Sequence, residues 1–191
     1  MGEDKRFLLV GERTLFDRSL AVLRSVFQRV LVVVAQDSPP VHADVPVIPD
    51  LVPNCGSLGG LYTGLREAAT PHVFVVACDM PFLDPQAVEY VVALKNGVDI
   101  VMARRGGGLE PMHALYSRQC LPVIEEMLQA NNLKIQNIVA HRSLKVRLLT
   151  EAELRRIDPG GRSFLNVNTP LDLEAARTLY ERLSDPDLRD V

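Results

Sequence analysis

The stretch Val-Phe-Val-Val-Ala-Cys-Asp-Met-Pro, residues 73–81, decides the fold, because an apolar β-branched run passes directly into an aspartate. Uniformly apolar runs of this kind are typical of strands buried on both faces of a parallel sheet. In open α/β sheets, ligands bind outside the carboxyl ends of the strands. Asp79 lies at such an end, where a carboxylate can hold Mg²⁺ together with phosphate oxygens. The alternative interpretation is that Asp79 only caps the turn before Pro81.

Apolar runs and helical stripes alternate on both sides of this stretch. Residues 30–35 are uniformly apolar, whereas residues 15–27 repeat apolar positions at helical spacing. This alternation predicts an α/β fold with a three-layer, mainly parallel twisted sheet. No linker divides the chain, so we expect one domain over residues 1–184 and a polar tail over 185–191. The predicted strands are 30–35, 47–48, 73–77, 99–103, 112–116, 144–149 and 164–167. The predicted helices are 15–27, 61–69, 85–94, 119–130, 135–141, 151–157 and 170–183. Asp84 is the expected N-cap of helix 85–94, with Pro85 at its first position.

The composition excludes several classes of protein. The 191 residues include 21 Lys or Arg and 24 Asp or Glu, so the net charge of −3 favours neither nucleic acid nor an anionic membrane as a partner. Cys55, Cys78 and Cys120 are too few and too scattered for a disulfide framework or a zinc site. No apolar run approaches the roughly 20 residues of a membrane helix. We therefore expect a cytoplasmic protein in a reducing environment.

A glycine-rich stretch, Asn-Cys-Gly-Ser-Leu-Gly-Gly-Leu-Tyr-Thr-Gly-Leu at residues 54–65, precedes and enters a predicted helix. Free backbone N–H groups at a helix start suit an anion or the polar edge of a ring, and glycine permits a close approach. Asp50, just before it, could accept two N–H bonds from guanine. Glycine-rich stretches are also merely turns, and a solvated loop aspartate is the plainer interpretation of Asp50.

Two asparagines, Asn166 and Asn168, would face the same way on the predicted last strand. Each amide donates and accepts, which suits a polar ring or a phosphate. Capping explains only one of them, because Asn168 or Thr169 can cap the helix that Pro170 opens. Lys5 could bridge phosphates as a point charge. We interpret His113 as a packed or partly exposed histidine rather than a catalyst, and Cys78 as a packed side chain rather than a nucleophile.

Taken in order, five segments resemble the nucleotidyltransferases that attach a nucleotide to molybdopterin, and above all the molybdenum cofactor guanylyltransferase family. The similarity spans nearly the whole chain. Residues 1–5 match the end of the family's opening signature, residues 78–81 its Cys-Asp-x-Pro, and residues 166–170 its Asn-x-Asn-Thr-Pro. Residues 56–65 resemble its Gly-Pro-Leu-Ala-Gly loop, with Ser57 for proline and Gly59 for alanine, and residues 110–116 resemble its proline-containing strand.

This resemblance implies a Rossmann-like nucleotidyltransferase fold and the transfer of GMP from GTP to molybdopterin, with release of pyrophosphate and with Mg²⁺ as cofactor. It implies that Lys5 and Asp79 are the catalytic residues and that Asp79 holds the metal. The implied nucleotide-binding residues are Lys5, Asp50, Gly56, Leu58, Gly60 and Asp79, with Asp50 on guanine. The implied molybdopterin-binding residues are Asn166 and Asn168. Molybdoenzyme maturation proteins are compatible further partners.

The chain also departs from the family pattern at its start. The family's first strand and glycine-rich turn end in Met-Gly-x-Asp-Lys, and here Met1 falls on that methionine. We therefore expect a truncated form of the fold, with an apolar strand missing beside residues 73–77. Such a chain would bind GTP poorly and would be unstable or self-associate through the vacant strand edge.

Two alternatives stay open. One is a cytidylyltransferase acting on the same pterin, against which the Cys-Asp-x-Pro and Asn-x-Asn-Thr-Pro segments favour the guanine enzyme. The other is a catalytically impaired member that holds the cofactor or a partner enzyme as an adaptor. The missing loop favours this second alternative, whereas Lys5, Asp50 and Asp79 speak against it.

Overall fold

The computed structural model describes residues 4–185. The first three residues of the opening motif and residues 186–191 of the predicted tail lie outside the described residues. The strands are β1 Leu9–Val10, β2 Arg13–Thr14, β3 Val32–Val34, β4 Val47–Pro49, β5 His72–Val76, β6 Ile100–Arg105, β7 Gly108–Ser117 and β8 Val146–Leu149. The α-helices are α1 Leu15–Val26, α2 Gly56–Glu67, α3 Pro85–Ala93, α4 Leu121–Gln129, α5 Glu151–Ile157 and α6 Pro170–Ser184.

The main sheet has the strand order β5-β7-β6-β8. Strands β5, β6 and β8 run in one direction, and β7 lies antiparallel between β5 and β6. This confirms the predicted α/β class. Strand β7 begins earlier than predicted, because Arg104 and Arg105 pair with Leu109 and Gly108 in a tight hairpin. The carboxyl ends of β5, β6 and β8 therefore meet at one edge of the sheet.

Helices cover both faces of this sheet, which makes three layers. On one face, α2 and α4 pack against Ile100, Met102 and Tyr116. On the other face, α3 and α5 pack against Val101 and Leu115. Neighbouring residues of β6 thus enter opposite cores, as the two-residue period of a strand requires. No helix within residues 4–185 is long and apolar enough to cross a bilayer.

Strands β3 and β5 are less buried than their apolar sequences predict. Strand β3 pairs only with β4, in a separate two-stranded parallel sheet, and β5 pairs only with β7. Each keeps one edge without a strand partner in the described part of the chain, and the residues of both are only half-buried. The prediction of strands buried on both faces is therefore wrong here. The expected strand beside β5 stays a prediction.

Some helix ends follow local sequence signals, whereas three predicted features differ from the structure. Asp84 caps α3 through the N–H groups of Gln86 and Ala87, as predicted. Helix α2 begins at Gly56 rather than near residue 61, because Leu58 belongs to the same buried face as the later leucines. The predicted strand 164–167 is wrong: a 3₁₀ turn covers Arg162–Phe164, and residues 165–168 join no ladder. The predicted helix 135–141 is a 3₁₀ helix, Ile135–Ala140.

Candidate active site

Asp79 lies at the carboxyl edge of the sheet, shortly after the end of β5. Its backbone is held there, because the Asp79 carbonyl accepts a hydrogen bond from the Val167 N–H at 2.9 Å. Its Oδ1 atom is buried and has no hydrogen-bond partner among residues 4–185. Burial raises the pKa of Asp79, and the nearby Lys5 charge opposes that shift. A buried carboxylate oxygen without a donor fits a cation such as Mg²⁺, which prefers carboxylate and phosphate oxygens.

Lys5, near the start of the chain, lies close enough to Asp79 for its charge to act on that carboxyl group. It begins a 3₁₀ turn, Lys5–Phe7, which Asp4 caps by accepting the Arg6 N–H. The Lys5 Nζ donates a hydrogen bond to Asn168 Oδ1 at 3.0 Å. The tertiary structure therefore brings together Lys5, Asp79 and Asn168, which the sequence separates widely.

The neighbouring Arg6 is a residue that the sequence analysis missed. Its guanidinium pairs with the Asp4 carboxylate, with Nε 2.9 Å from Oδ1, and only 14% of the Arg6 side chain is exposed. The Arg6 charge also interacts electrostatically with Cys78. Burial raises the pKa of the Cys78 thiol to about 11, with the Asp79 charge adding to it and Arg6 opposing it. The thiol is therefore protonated, which agrees with its interpretation as a packed side chain. The sequence signal for Arg6 was its position next to Lys5.

Asp50 is buried, so it is not a solvated loop aspartate. Only 8% of the residue is exposed, and its Oδ1 accepts hydrogen bonds from Thr63 Oγ1 at 2.7 Å and from the Val52 N–H at 3.3 Å. Its backbone N–H donates to the Val34 carbonyl at 2.7 Å. No hydrogen bond within residues 4–185 is made to Asp50 Oδ2, which lies against Gly59 of α2.

Among residues 4–185, no side chain caps the first turn of α2. Its N-cap residue, Cys55, makes no side-chain hydrogen bond to the helix. Gly56 has φ +54°, and a side chain at Gly56 or Gly60 would meet no atom within 4 Å. Leu58, in contrast, is fully buried in the core, so a contact of Leu58 with a nucleotide would come from its backbone N–H. An uncapped helix start of this kind suits an anion or a polar ring edge.

The two asparagines have different surroundings. Asn166 is half-buried, and its Nδ2 lies 3.5 Å from the Phe164 carbonyl. Asn168 is exposed and contacts Lys5. Thr169, not Asn168, caps α6 in a reciprocal pair with Asp172. Capping therefore explains neither asparagine side chain.

A buried hydrogen-bond network holds the segment that leads to Asn166. His113 is fully buried, as predicted for a packed histidine, and its Nε2 lies 2.9 Å from Ser163 Oγ. The same hydroxyl accepts the Asp84 N–H at 3.0 Å, and the Ser163 N–H donates to Asp158 Oδ2 at 2.9 Å. Burial lowers the pKa of His113 to about 4, so the imidazole is neutral at pH 7. The sequence analysis did not predict this network.

Comparisons with known proteins bear on the family and the fold of the chain. The profile of the MobA-like NTP transferase domain matches residues 1–146. A probable molybdenum cofactor guanylyltransferase of Pelotomaculum thermopropionicum is 35% identical over 181 residues, covering 95% of this chain and 87% of the relative. The molybdenum cofactor guanylyltransferase of Desulfosudis oleivorans is 33% identical over 176 residues, covering 92% of this chain and 86% of the relative.

A solved structure also has a similar fold. The crystal structure of molybdopterin-guanine dinucleotide biosynthesis protein A from Archaeoglobus fulgidus superposes with a TM-score of 0.81 at 24% identity. The superposition covers 95% of this chain and 92% of the other.

Proposed function

The chain belongs to the MobA-like NTP transferase domain family and is a nucleotidyltransferase, and from this premise we propose that it transfers GMP from GTP to molybdopterin and releases pyrophosphate. The observation that carries the proposal is the convergence of Asp79, with its unpaired buried Oδ1, and Lys5, held by Asn168, at one edge of the sheet. The names of the relatives support the choice of guanylyl transfer to this acceptor.

The proposed reaction needs no protein nucleophile. An oxygen of the terminal phosphate of molybdopterin attacks the α-phosphorus of GTP and forms a new P–O bond. The bond between the α-phosphorus and the oxygen that bridges to the β-phosphate breaks, and pyrophosphate leaves with that electron pair. Such a transfer depends on positioning the two phosphates and stabilising their charge. A cationic side chain and backbone N–H donors can position the phosphates and stabilise their charge.

The residues of the site fit these two tasks. The Lys5 ammonium would neutralise a phosphate oxygen, and the Asn168 amide would orient it by accepting one of its hydrogen bonds. The uncapped first turn of α2 would bind a phosphate oxygen or a base edge through its N–H groups. Asp50 Oδ2 would accept N–H bonds from guanine, while Thr63 holds Oδ1. Asn166 and Asn168 would lie on the molybdopterin side.

Asp79 is the residue that would hold Mg²⁺, through the Oδ1 that no donor within residues 4–185 satisfies. A bound Mg²⁺ neutralises negative charge on the triphosphate. Lys5 favours the ionised carboxylate that metal binding needs, because its charge opposes the raised pKa of Asp79.

The test is a transfer assay with molybdopterin and GTP labelled at the α-phosphate. We expect label in the pterin dinucleotide and release of unlabelled pyrophosphate, both dependent on Mg²⁺. Faster transfer from CTP than from GTP would favour the cytidylyltransferase instead. Binding of GTP and molybdopterin without pyrophosphate release would contradict catalysis and favour an adaptor.

A further inference from the structure

Helix α6 is bonded to the segment of the chain that carries Lys5. The Arg177 Nε donates a hydrogen bond to the Leu9 carbonyl of β1 at 3.1 Å, across a sequence separation of 168 residues. The Leu8 N–H donates to the Lys5 carbonyl at 3.1 Å, so the turn of Lys5 passes directly into β1. Arg177 therefore holds the backbone a few residues from Lys5, and the proposed function gives it no role of its own.

The Arg177 guanidinium is itself held on the surface of α6. Its Nη1 donates to Glu174 Oε1 at 2.7 Å, one turn earlier in the same helix. This ion pair orients the guanidinium while its Nε bonds the Leu9 carbonyl. The Arg177 side chain is 42% exposed, so it can be substituted without opening a hole in the core.

A second arginine binds the next carbonyl of β1. The Arg18 Nε, on α1, donates to the Val10 carbonyl at 2.7 Å. The Arg18 guanidinium lies over the ring of Tyr180 on α6, 4.2 Å from its centroid. Gly11 follows with φ +63° and leaves no room for a side chain beside the Tyr180 ring. Strand β1 is thus fixed against α6 at two successive residues.

The beginning of α6 holds the other partner of Lys5. Asp172 Oδ2 accepts the Asn168 N–H at 2.9 Å and the Thr169 N–H at 2.7 Å. The backbone of Asn168 is therefore fixed to the first turn of α6, whereas Arg177 fixes the segment of Lys5 to a later turn. One helix holds both sides of the Lys5–Asn168 contact.

A small apolar core ties the same helix to Asp79. Val10 of β1 is fully buried, and it packs in one cluster with Val167 and with Leu173 and Ala176 of α6. The Val167 N–H is the donor to the Asp79 carbonyl. A shift of β1 along α6 would therefore move Lys5 relative to both Asn168 and Asp79.

We propose that Arg177 is a positioning residue of the transfer site, which fixes the place of the Lys5 ammonium by holding the Leu9 carbonyl against α6. This inference rests on the proposed function, because Arg177 acts only through the phosphate contact of Lys5. A cation that is already held at the right place binds a phosphate with a smaller loss of conformational freedom. Arg177 itself contacts no substrate.

The experiment is a double-mutant cycle measured on the full chain. GTP affinity is determined by calorimetry, with Mg²⁺ present, for the unmodified chain, Arg177→Gln, Lys5→Ala and the double variant. Arg182→Gln is the matched control, because it removes the same charge from an exposed position on the same helix. Thermal unfolding checks that each variant is folded.

We expect Arg177→Gln to weaken GTP binding about fivefold, because the loss of its hydrogen bond releases β1 and with it Lys5. In the Lys5→Ala background the same substitution should cause no further loss, since no ammonium remains to be positioned. Arg182→Gln should leave GTP affinity unchanged.

Amide hydrogen exchange supplies a measurement that does not depend on the reaction. Exchange over residues 5–15, followed by mass spectrometry, should be faster in Arg177→Gln than in Arg182→Gln, because the segment opens more often. Exchange over β6, in the centre of the sheet, should be the same in both variants.

An equal loss of GTP affinity in the presence and in the absence of the Lys5 side chain would overturn the inference, because Arg177 would then act without Lys5. Unchanged GTP affinity in Arg177→Gln, or unchanged exchange over residues 5–15, would overturn it as well. The transfer assay separates it from the proposed function. Coupled effects on GTP affinity without GMP transfer would retain the positioning role and reject the function, whereas GMP transfer with independent effects would do the reverse.

Discussion

The Lys5 ammonium donates a hydrogen bond to Asn168 Oδ1 at 3.0 Å, across a sequence separation of 163 residues. This contact joins the opening motif of the chain to the segment before α6. It also holds a positive charge near Asp79. This contact joins the half-buried Lys5 to the exposed Asn168, so a single substitution at Asn168 can remove it without disturbing the core.

We predict that Asn168→Ala lowers kcat/KM for GMP transfer about tenfold, because Lys5 loses the acceptor that orients it. Stability should hardly change, since Thr169 and not Asn168 caps α6. The control is Ser25→Ala, which removes one exposed hydrogen bond to the Val22 carbonyl on α1. Steady-state kinetics check the prediction, and equal kcat/KM for Asn168→Ala and the unmodified chain would contradict it.

Asp79→Asn should abolish Mg²⁺-dependent transfer and leave the fold intact. Burial raises the pKa of Asp79, so the ionised carboxylate destabilises the folded state above that pKa, and a neutral amide should be tolerated or stabilising at pH 7. Asp84→Ala is the contrasting variant, since loss of the α3 cap should cost about 1 kcal/mol. Thermal unfolding and the transfer assay measure the two effects, and full activity of Asp79→Asn would refute the assignment.

GTP should bind more tightly than ATP or CTP, and Asp50→Asn should remove most of that preference. The free Oδ2 matches the donor edge of guanine, and leaving it unpaired costs about 1–3 kcal/mol. Thr63→Val tests how Asp50 is held, because it removes the hydroxyl that binds Oδ1. Calorimetric titration of the three nucleotides is the measurement. Comparable affinities in the unmodified chain would indicate a generic nucleotide site.

Gly59→Ala should destabilise the protein by about 1–3 kcal/mol. A Cβ atom there would lie 2.7 Å from Asp50 Oδ2 and 2.8 Å from the Val52 carbonyl oxygen. Gly60→Ala is the matched control in the same helix, because its Cβ would meet nothing within 4 Å and should stabilise α2 by about 0.5–1 kcal/mol. Urea unfolding of both variants checks the prediction, which fails if the two shift stability equally.

Stability should fall between pH 7 and pH 5 because of His113. Its folded pKa of about 4 lies below the ordinary value of 6.5, so the unfolded chain binds a proton first and unfolding is favoured as the pH drops. Protonation of this histidine in the unfolded chain should by itself lower the free energy of unfolding by about 2 kcal/mol at pH 5. His113→Gln should flatten the pH dependence of the free energy of unfolding relative to the unmodified chain. Parallel pH curves for the two proteins would exclude the assignment.

Local sequence was sufficient for most helices and most strands. Asp84 and Pro85 predicted the start of α3, and Thr169 and Pro170 the start of α6, because capping and proline geometry act within a few residues. Asp79 was predicted at a strand end because the apolar run of residues 73–77 leads into it. The motifs also predicted the family, which the comparisons confirm.

Tertiary structure alone decided the features that depend on distant partners. The antiparallel place of β7, the early start of α2 and the failure of residues 164–167 to form a strand depend on pairing and burial that no short window encodes. The Lys5–Asn168 contact and the His113–Ser163 hydrogen bond join segments far apart in the chain. Residue type and spacing determine local propensity, whereas only the packed fold determines which charged groups end up near each other and which are left unpaired.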